Sequence, residues 1–306
     1  PQKAKEYALV IHGGAGTITK ANLKPNQERA YREKLTAVLE IGDQMLKEGK
    51  SSEEVVVRVI SLMENSPLFN AGKGSVFNAE GKQDMDASIM RGDDLNCGAI
   101  AGVSNVKNPI KLARMVMDSS EHVFLARKGA EQFAQEMQLD IVDPDYFFDQ
   151  KRYDRWKKLK DKEVLSEEEK HGTVGAVCLD KSGNLCAGTS TGGMTYKKWG
   201  RIGDSPVIGA GTYANNESCG VSSTGHGEFF IRAMVAHQIA AAMEYGDYTL
   251  EEAANLVIHE KLQHLGGTGG VIAMDKFGNV AMPFNTEGMY RGYVTSDSEP
   301  SVAIYK

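Results

Sequence analysis

An α+β fold, with helices packed outside antiparallel sheets, is what this sequence predicts. Two observations carry the prediction. Two distant stretches share one hairpin signature, short apolar strands joined by Asp180-Lys181-Ser182-Gly183-Asn184 and by Asp275-Lys276-Phe277-Gly278-Asn279. Long amphipathic patterns with helical spacing surround them. A length of 306 residues, with 41% hydrophobic and 25% charged, suits one large domain or two closely joined ones. The same figures exclude a disordered, collagen-like or coiled-coil chain.

Residues 7–11 are a short apolar, β-branched run and read as a buried strand, ended by His12-Gly13-Gly14-Ala15-Gly16. Residues 26–48 follow as a long amphipathic helix stopped by Gly49. Ser51, with Glu54 three residues on, is a capping box for a second helix that ends before Pro67. Strand-like pieces at 87–90 and 99–103 precede helical patterns from about 109 to 137. Across 140–172, 18 of 33 residues are charged, so this stretch reads as a solvated helix followed by a linker that packs little. It runs directly into a strand over 173–179, which turns and returns through 185–189. A helix over 227–245 ends at Gly246. A second capping pair, Thr249 with Glu252, opens another that reaches about 264. The later hairpin pairs 271–274 with 280–282.

Composition narrows the function classes. The net charge of −6 speaks against nucleic acid as a partner, since duplex binding usually needs a basic excess. No apolar run is long enough to span a membrane. The chain opens on Pro1 with no visible signal peptide; the cytoplasm is the expected compartment, with export to a periplasm left open. Cys97, Cys178, Cys186 and Cys219 form no C-x-x-C and read as small buried hydrophobes or free thiols.

The familiar catalytic motifs are missing. His259-Glu260 and His264 are mis-spaced for a zinc helix and read as a surface pair. Gly72-Lys73-Gly74-Ser75 departs from a phosphate loop, and there is no G-x-S-x-G elbow. No G-x-G-x-x-G stands between a clear strand and helix, which argues against a nucleotide-binding module. What remains is Gly172-Thr173, at the junction of the charged linker and a buried strand. A threonine with a free α-amine holds nucleophile and base in one residue, and that amine has an unperturbed pKa of about 7.7–8.0. Thr173 gains the amine only if the Gly172–Thr173 bond is cut. Taken alone, a threonine opening a strand is far more often structural.

The motifs around it change that balance. In order come His12-Gly13-Gly14-Ala15-Gly16, Leu68-Phe69-Asn70-Ala71-Gly72, His171-Gly172-Thr173-Val174-Gly175-Ala176-Val177, Thr189-Ser190-Thr191-Gly192-Gly193-Met194, Gly200-Arg201-Ile202-Gly203-Asp204-Ser205-Pro206 and Ser223-Thr224-Gly225-His226-Gly227-Glu228. Together they resemble the plant-type L-asparaginase, or isoaspartyl (β-aspartyl) peptidase, family of N-terminal nucleophile hydrolases, from about residue 7 to 291.

The resemblance implies a four-layer αββα sandwich and a precursor that cuts itself between Gly172 and Thr173. The products would be an α chain of residues 1–172, with 140–172 as its charged linker, and a β chain of 173–306, together forming one domain. Two such αβ pairs would form a homodimer. The resemblance further implies that Thr173 is the nucleophile and that Thr191 positions its hydroxyl. Arg201 would hold a substrate α-carboxylate and Asp204 an α-ammonium, with Gly227 supplying main-chain contact. Thr224 and Gly225 would form an oxyanion hole, and Asn70 would lie beside the nucleophile. A sodium ion on the main-chain carbonyls of Met63, Glu64, Ser66, Phe69, Ala71 and Lys73 is implied as well, with no cofactor for catalysis. The expected substrates are L-asparagine and β-aspartyl dipeptides, cleaved through an aspartyl ester on Thr173. Two alternatives stay open at this stage: a glycosylasparaginase, and an uncut, inactive scaffold of the same fold.

Overall fold

The computed structural model describes residues 4–162 and 172–306. Glu167-Glu168-Glu169, the most acidic part of the expected linker, lies outside the described residues. Helices and two sheets make an α+β architecture. The strands are β1 (Ala8–Gly16), β2 (Met85–Arg91), β3 (Cys97–Val103), β4 (Phe124–Ala126), β5 (Val174–Leu179), β6 (Leu185–Thr191), β7 (Thr212–Ala214), β8 (Cys219–Gly225), β9 (Gly269–Asp275), β10 (Val280–Ala281), β11 (Gly288–Thr295) and β12 (Ser298–Tyr305). An eight-stranded sheet has the order β12-β11-β1-β5-β6-β2-β3-β4, and a four-stranded sheet the order β10-β9-β8-β7. Every named pairing is antiparallel except β3 with β4.

The helices are α1 (Pro25–Lys47), α2 (Ser52–Glu64), α3 (Pro109–Ser119), α4 (Arg127–Glu136), α5 (Gln150–Lys162), α6 (Gly227–Ala233), α7 (Val235–Gly246) and α8 (Leu250–Asn255), the last continuing into a π-helical stretch, Leu256–Leu262. Apolar side chains gather in three clusters. One joins α1, α2 and α3 to the large sheet through residues such as Leu39, Val56, Ile60, Ile110 and Ile89. A second joins α7, α8 and the π-helical stretch to β8 and β9. The third lies between the sheets, where Val10, Val177 and Ala187 meet Ala214, Ile272 and Met274. Among the described residues no helix is long and apolar enough to cross a membrane.

Both capping boxes form. Ser51 Oγ accepts the Glu54 N–H and Thr249 Oγ1 accepts that of Glu252, each glutamate reaching back to the cap. The matched hairpins close by one mechanism: Asp180 Oδ1 accepts the N–H groups of Ser182 and Asn184, and Asp275 Oδ1 those of Phe277 and Asn279. All four cysteines are free, three of them buried.

Three expectations need correction. His12-Gly13-Gly14-Ala15-Gly16 does not end β1; the strand runs on to Gly16 through a register shift between His12 and Gly14. Gly14 supplies the shift with φ +108°, a conformation that other residues rarely adopt. The helix expected over 227–245 breaks at Met234, whose φ is +47°. Of the stretch expected to pack little, the described residues 140–162 do pack. Phe147 and Trp156 are buried, and Trp156 packs at a tilt against the Tyr153 and Phe77 rings while its Nε1–H donates to the Asn78 carbonyl at 2.7 Å. Its aromatic residues, outnumbered by charges, carry the docking.

Candidate active site

The register of one hairpin creates the centre of the site. β5 and β6 pair Val174 with Ser190, so the residue before Val174 comes to the residue after Ser190. Thr173 Oγ1 donates to Thr191 Oγ1 at 3.1 Å, and both threonines are buried. Thr191 Oγ1 also accepts the Gly193 N–H at 3.0 Å. Asn70 grips the turn after Thr191: its carbonyl accepts the Gly192 N–H at 3.0 Å and its Nδ2 donates to the Gly193 carbonyl at 2.7 Å. The Val76 N–H donates to Asn70 Oδ1 at 3.0 Å, which fixes the amide's orientation.

Gly172 passes through a narrow gap. A Cβ on Gly172 would come within 2.6 Å of Asn70 Cβ, and a Cβ on Gly14 within 2.8 Å of Gly172 Cα. Gly13 lies as closely against the Phe69 ring, with 2.8 Å from its Cβ position to Cδ1. Three glycine-bearing motifs, remote in sequence, therefore meet around one peptide bond.

Thr224 and Gly225 end β8, where it pairs with β9. The Ala15 N–H donates to Thr224 Oγ1 at 3.3 Å, so the Thr224 hydroxyl keeps its own proton for another acceptor. Gly227 begins α6. A Cβ there would come within 2.8 Å of Arg201 Nη2 and 2.9 Å of Asp204 Oδ1, so Arg201, Asp204 and Gly227 share one small volume.

Arg201 does not pair directly with Asp204. Its Nε and Nη2 donate to the two carboxylate oxygens of Glu228 at 2.8 and 2.9 Å, a bidentate contact that pulls the Glu228 pKa down to about 2. His226 Nε2 lies 3.2 Å from the same carboxylate. Asp204 is buried and its Oδ2 has no hydrogen-bond partner. Burial raises its pKa to about 7, with the Arg201 guanidinium opposing the rise. Glu228 escaped the sequence reading because a glutamate in the first turn of a helix is ordinary. Its place at the end of the Ser223-Thr224-Gly225-His226-Gly227-Glu228 motif was the available signal.

Of the six residues with candidate carbonyls, Met63 and Glu64 end α2, and Ser66, Phe69, Ala71 and Lys73 lie in the loop and short 3-10 turn that follow it. Gly72 and Gly74 press there against the Glu64 and Phe69 carbonyls. No group of three or more His, Cys, Asp or Glu is placed to hold a metal among the described residues.

Residues 5–304 match the model of a family described as asparaginase. The chain belongs to that family. Within the asparaginase family it is similar to an isoaspartyl peptidase of Escherichia coli (strain K12), 48% identical over 307 residues, covering 97% of this chain and 96% of the relative. An isoaspartyl peptidase of Salmonella typhimurium is 47% identical, covering 97% and 98%. A mouse isoaspartyl peptidase/L-asparaginase is 40% identical over 288 residues, covering 92% and 86%.

Proposed function

We propose that this protein is an autoprocessed threonine hydrolase that cleaves β-aspartyl dipeptides and the side-chain amide of L-asparagine. The observation that carries the reading is the buried Thr173–Thr191 hydroxyl pair directly after a glycine wedged between Gly14 and Asn70. The named relatives support the substrate class.

In this reading the Thr173 hydroxyl attacks the Gly172 carbonyl carbon, the C–N bond breaks to free the Thr173 amine, and water hydrolyses the resulting ester to leave Gly172 a carboxylate and restore the hydroxyl. The amine takes the hydroxyl proton as Oγ1 adds to the substrate's side-chain carbonyl carbon. The resulting oxyanion rests on the Thr224 hydroxyl and the Gly225 N–H, where losing one such donor typically costs about 100- to 1000-fold in rate. The threonine ammonium returns the proton to the leaving nitrogen, and the C–N bond breaks. Water then hydrolyses the aspartyl ester by the same steps.

Arg201 would bind the substrate α-carboxylate. Glu228 takes the Nε hydrogen and one Nη2 hydrogen, which leaves the two on Nη1 and the second on Nη2 for the ligand. Asp204, whose Oδ2 is unpartnered, would take the α-ammonium, and Gly227 would offer main-chain contact. Asparagine and β-aspartyl dipeptides share this zwitterion and differ only in the leaving group.

We further read the three apolar clusters as the seams of an αββα layering, and we expect αβ pairs to associate as dimers. A hard cation such as sodium would suit the carbonyls of Met63, Glu64, Ser66, Phe69, Ala71 and Lys73, since the close approach of Gly72 and Gly74 leaves main-chain oxygens to define the turn.

Mass spectrometry tests the reading directly. Purified active protein should give two fragments, 1–172 and 173–306, and release aspartate from β-aspartyl dipeptides. Thr173→Ala should stay one inactive chain. Full activity in an uncut wild-type chain would overturn the proposal.

A further inference from the structure

Lys197 is buried, and the steps of the proposed reaction give its amine no part. Its Nζ donates to the Asp84 carbonyl at 2.7 Å and to the Gly192 carbonyl at 3.0 Å. Among the described residues no ion pair engages it. Asp86 and Asp84 face it electrostatically from β2 and the residues leading into it, and Arg201 and Arg127 lie beyond. A buried ammonium satisfied by neutral carbonyls is costly to keep, so the contact it makes deserves an account in terms of what it holds.

The main chain of the turn after Thr191 supplies that account. The Gly192 N–H goes to the Asn70 carbonyl, the Gly193 N–H to Thr191 Oγ1, and the Gly193 carbonyl to Asn70 Nδ2. The Gly192 carbonyl goes to Lys197. All four polar groups of the two glycines are therefore paired, and Lys197 is the anchor opposite Asn70. Gly193 sits at φ +76°, and a Cβ on it would come within 2.9 Å of Lys197 Nζ. The turn has no side chains of its own to pack, so its position depends on these hydrogen bonds. Its Gly193 N–H in turn sets the Thr191 hydroxyl that meets Thr173.

We infer that Lys197 is a positioning residue for the proposed nucleophile: it fixes the Gly192 carbonyl, and through Gly193 and Thr191 it aligns the Thr173 hydroxyl. The inference rests on the reading of Thr173 given above. Among the described residues no hydrogen bond or ion pair joins Lys197 to Arg201 or Glu228; its amine is spent on the Asp84 and Gly192 carbonyls, so its loss should reach chemistry before substrate binding.

The test is Lys197→Met, which keeps an unbranched apolar stem and removes the amine. With a β-aspartyl dipeptide, kcat should fall about tenfold or more while KM stays within about twofold. The double variant Lys197→Met/Asp86→Asn removes the buried cation together with the buried acid facing it, which guards against misfolding through one unpaired charge. It should melt cooperatively and show the same loss of kcat. Wild-type kcat in either folded variant, or a loss confined to KM, would overturn the inference and leave the proposed function standing. A wild-type protein that neither divides nor hydrolyses the dipeptide would overturn both.

Discussion

Asp204 shows how much of a residue's chemistry is set by its surroundings. Its sequence context, three residues after Arg201 in a glycine-rich turn, suggests two ends of a zwitterion clamp. The structure adds what spacing could not: burial that raises the pKa to about 7, and a Glu228 carboxylate that takes the bidentate contact with Arg201. If Asp204 receives a substrate ammonium, it must do so ionised. As pH falls through about 7 in the free protein it protonates, so KM for asparagine should rise on the acid side. Asp204→Asn should raise KM at pH 8 by roughly 10- to 100-fold, the cost of a hydrogen bond to a charged group, and flatten this acid-side dependence. Steady-state kinetics between about pH 5.5 and 8.5 decide it. An unchanged KM in Asp204→Asn at pH 8 would remove Asp204 from the clamp. Thr173, Arg201 and Asp204 stand out in the sequence because they sit in dense motifs. Glu228 closes one of those motifs but reads there as a commonplace helix-start acid, and Lys197 is a lysine whose burial no local pattern announces.

At the scale of elements, the legible parts were those whose signal is local. Asp-Lys-x-Gly-Asn closes both hairpins through the same carboxylate-to-amide contacts, and Ser51–Glu54 and Thr249–Glu252 open their helices as written. The misread parts depend on distant neighbours. β1 continues past His12 because β11 pairs with it on both sides of the shift at Gly14. α5 docks because Trp156 finds the Asn78 carbonyl and the Phe77 ring. The Ser51 cap offers a clean measure of the local contribution, since α2 packs against β5 and β6 behind the Thr173–Thr191 pair. Ser51→Ala should lower unfolding free energy by about 1 kcal/mol, read from denaturant midpoints at unchanged m-value. The same variant should leave kcat unchanged, because Ser51 lies on the exposed side of its helix start. An unaltered midpoint would mean that packing alone holds the end of α2.

The whole molecule is joined across its two sheets by polar contacts as well as by apolar packing. Ser88 Oγ donates to the Ser205 carbonyl at 2.6 Å and lies 2.8 Å from Thr212 Oγ1. Thr212 Oγ1 is 2.6 Å from Thr189 Oγ1, which is 2.7 Å from Ser222 Oγ, itself 3.0 Å from His12 Nε2. These groups come from β2, β7, β6, β8 and β1, and each alone reads as a small residue in a strand, so no sequence pattern reveals the chain they form. His12 is fully buried at its end, and its Nδ1 has no hydrogen-bond partner of good geometry, although the Thr173 main chain faces the ring. Burial lowers its pKa from 6.5 to about 3. The sign follows from linkage. The unfolded chain binds a proton that the folded chain refuses, so the stability associated with neutral His12 is complete above about pH 6.5 and is lost progressively as pH falls toward 3. Buried Asp204 and Glu64, both raised to about 7, titrate near this range in either protein, so over the interval from about 6.5 to 5 it is the difference from His12→Gln that isolates the histidine. There the wild type should lose about 1.5–2 kcal/mol more than His12→Gln, whatever their difference at pH 8. Chemical denaturation at several pH values measures both slopes. Parallel slopes would show that His12 takes up its proton in the folded protein, and that the space between the sheets is open to water at this end.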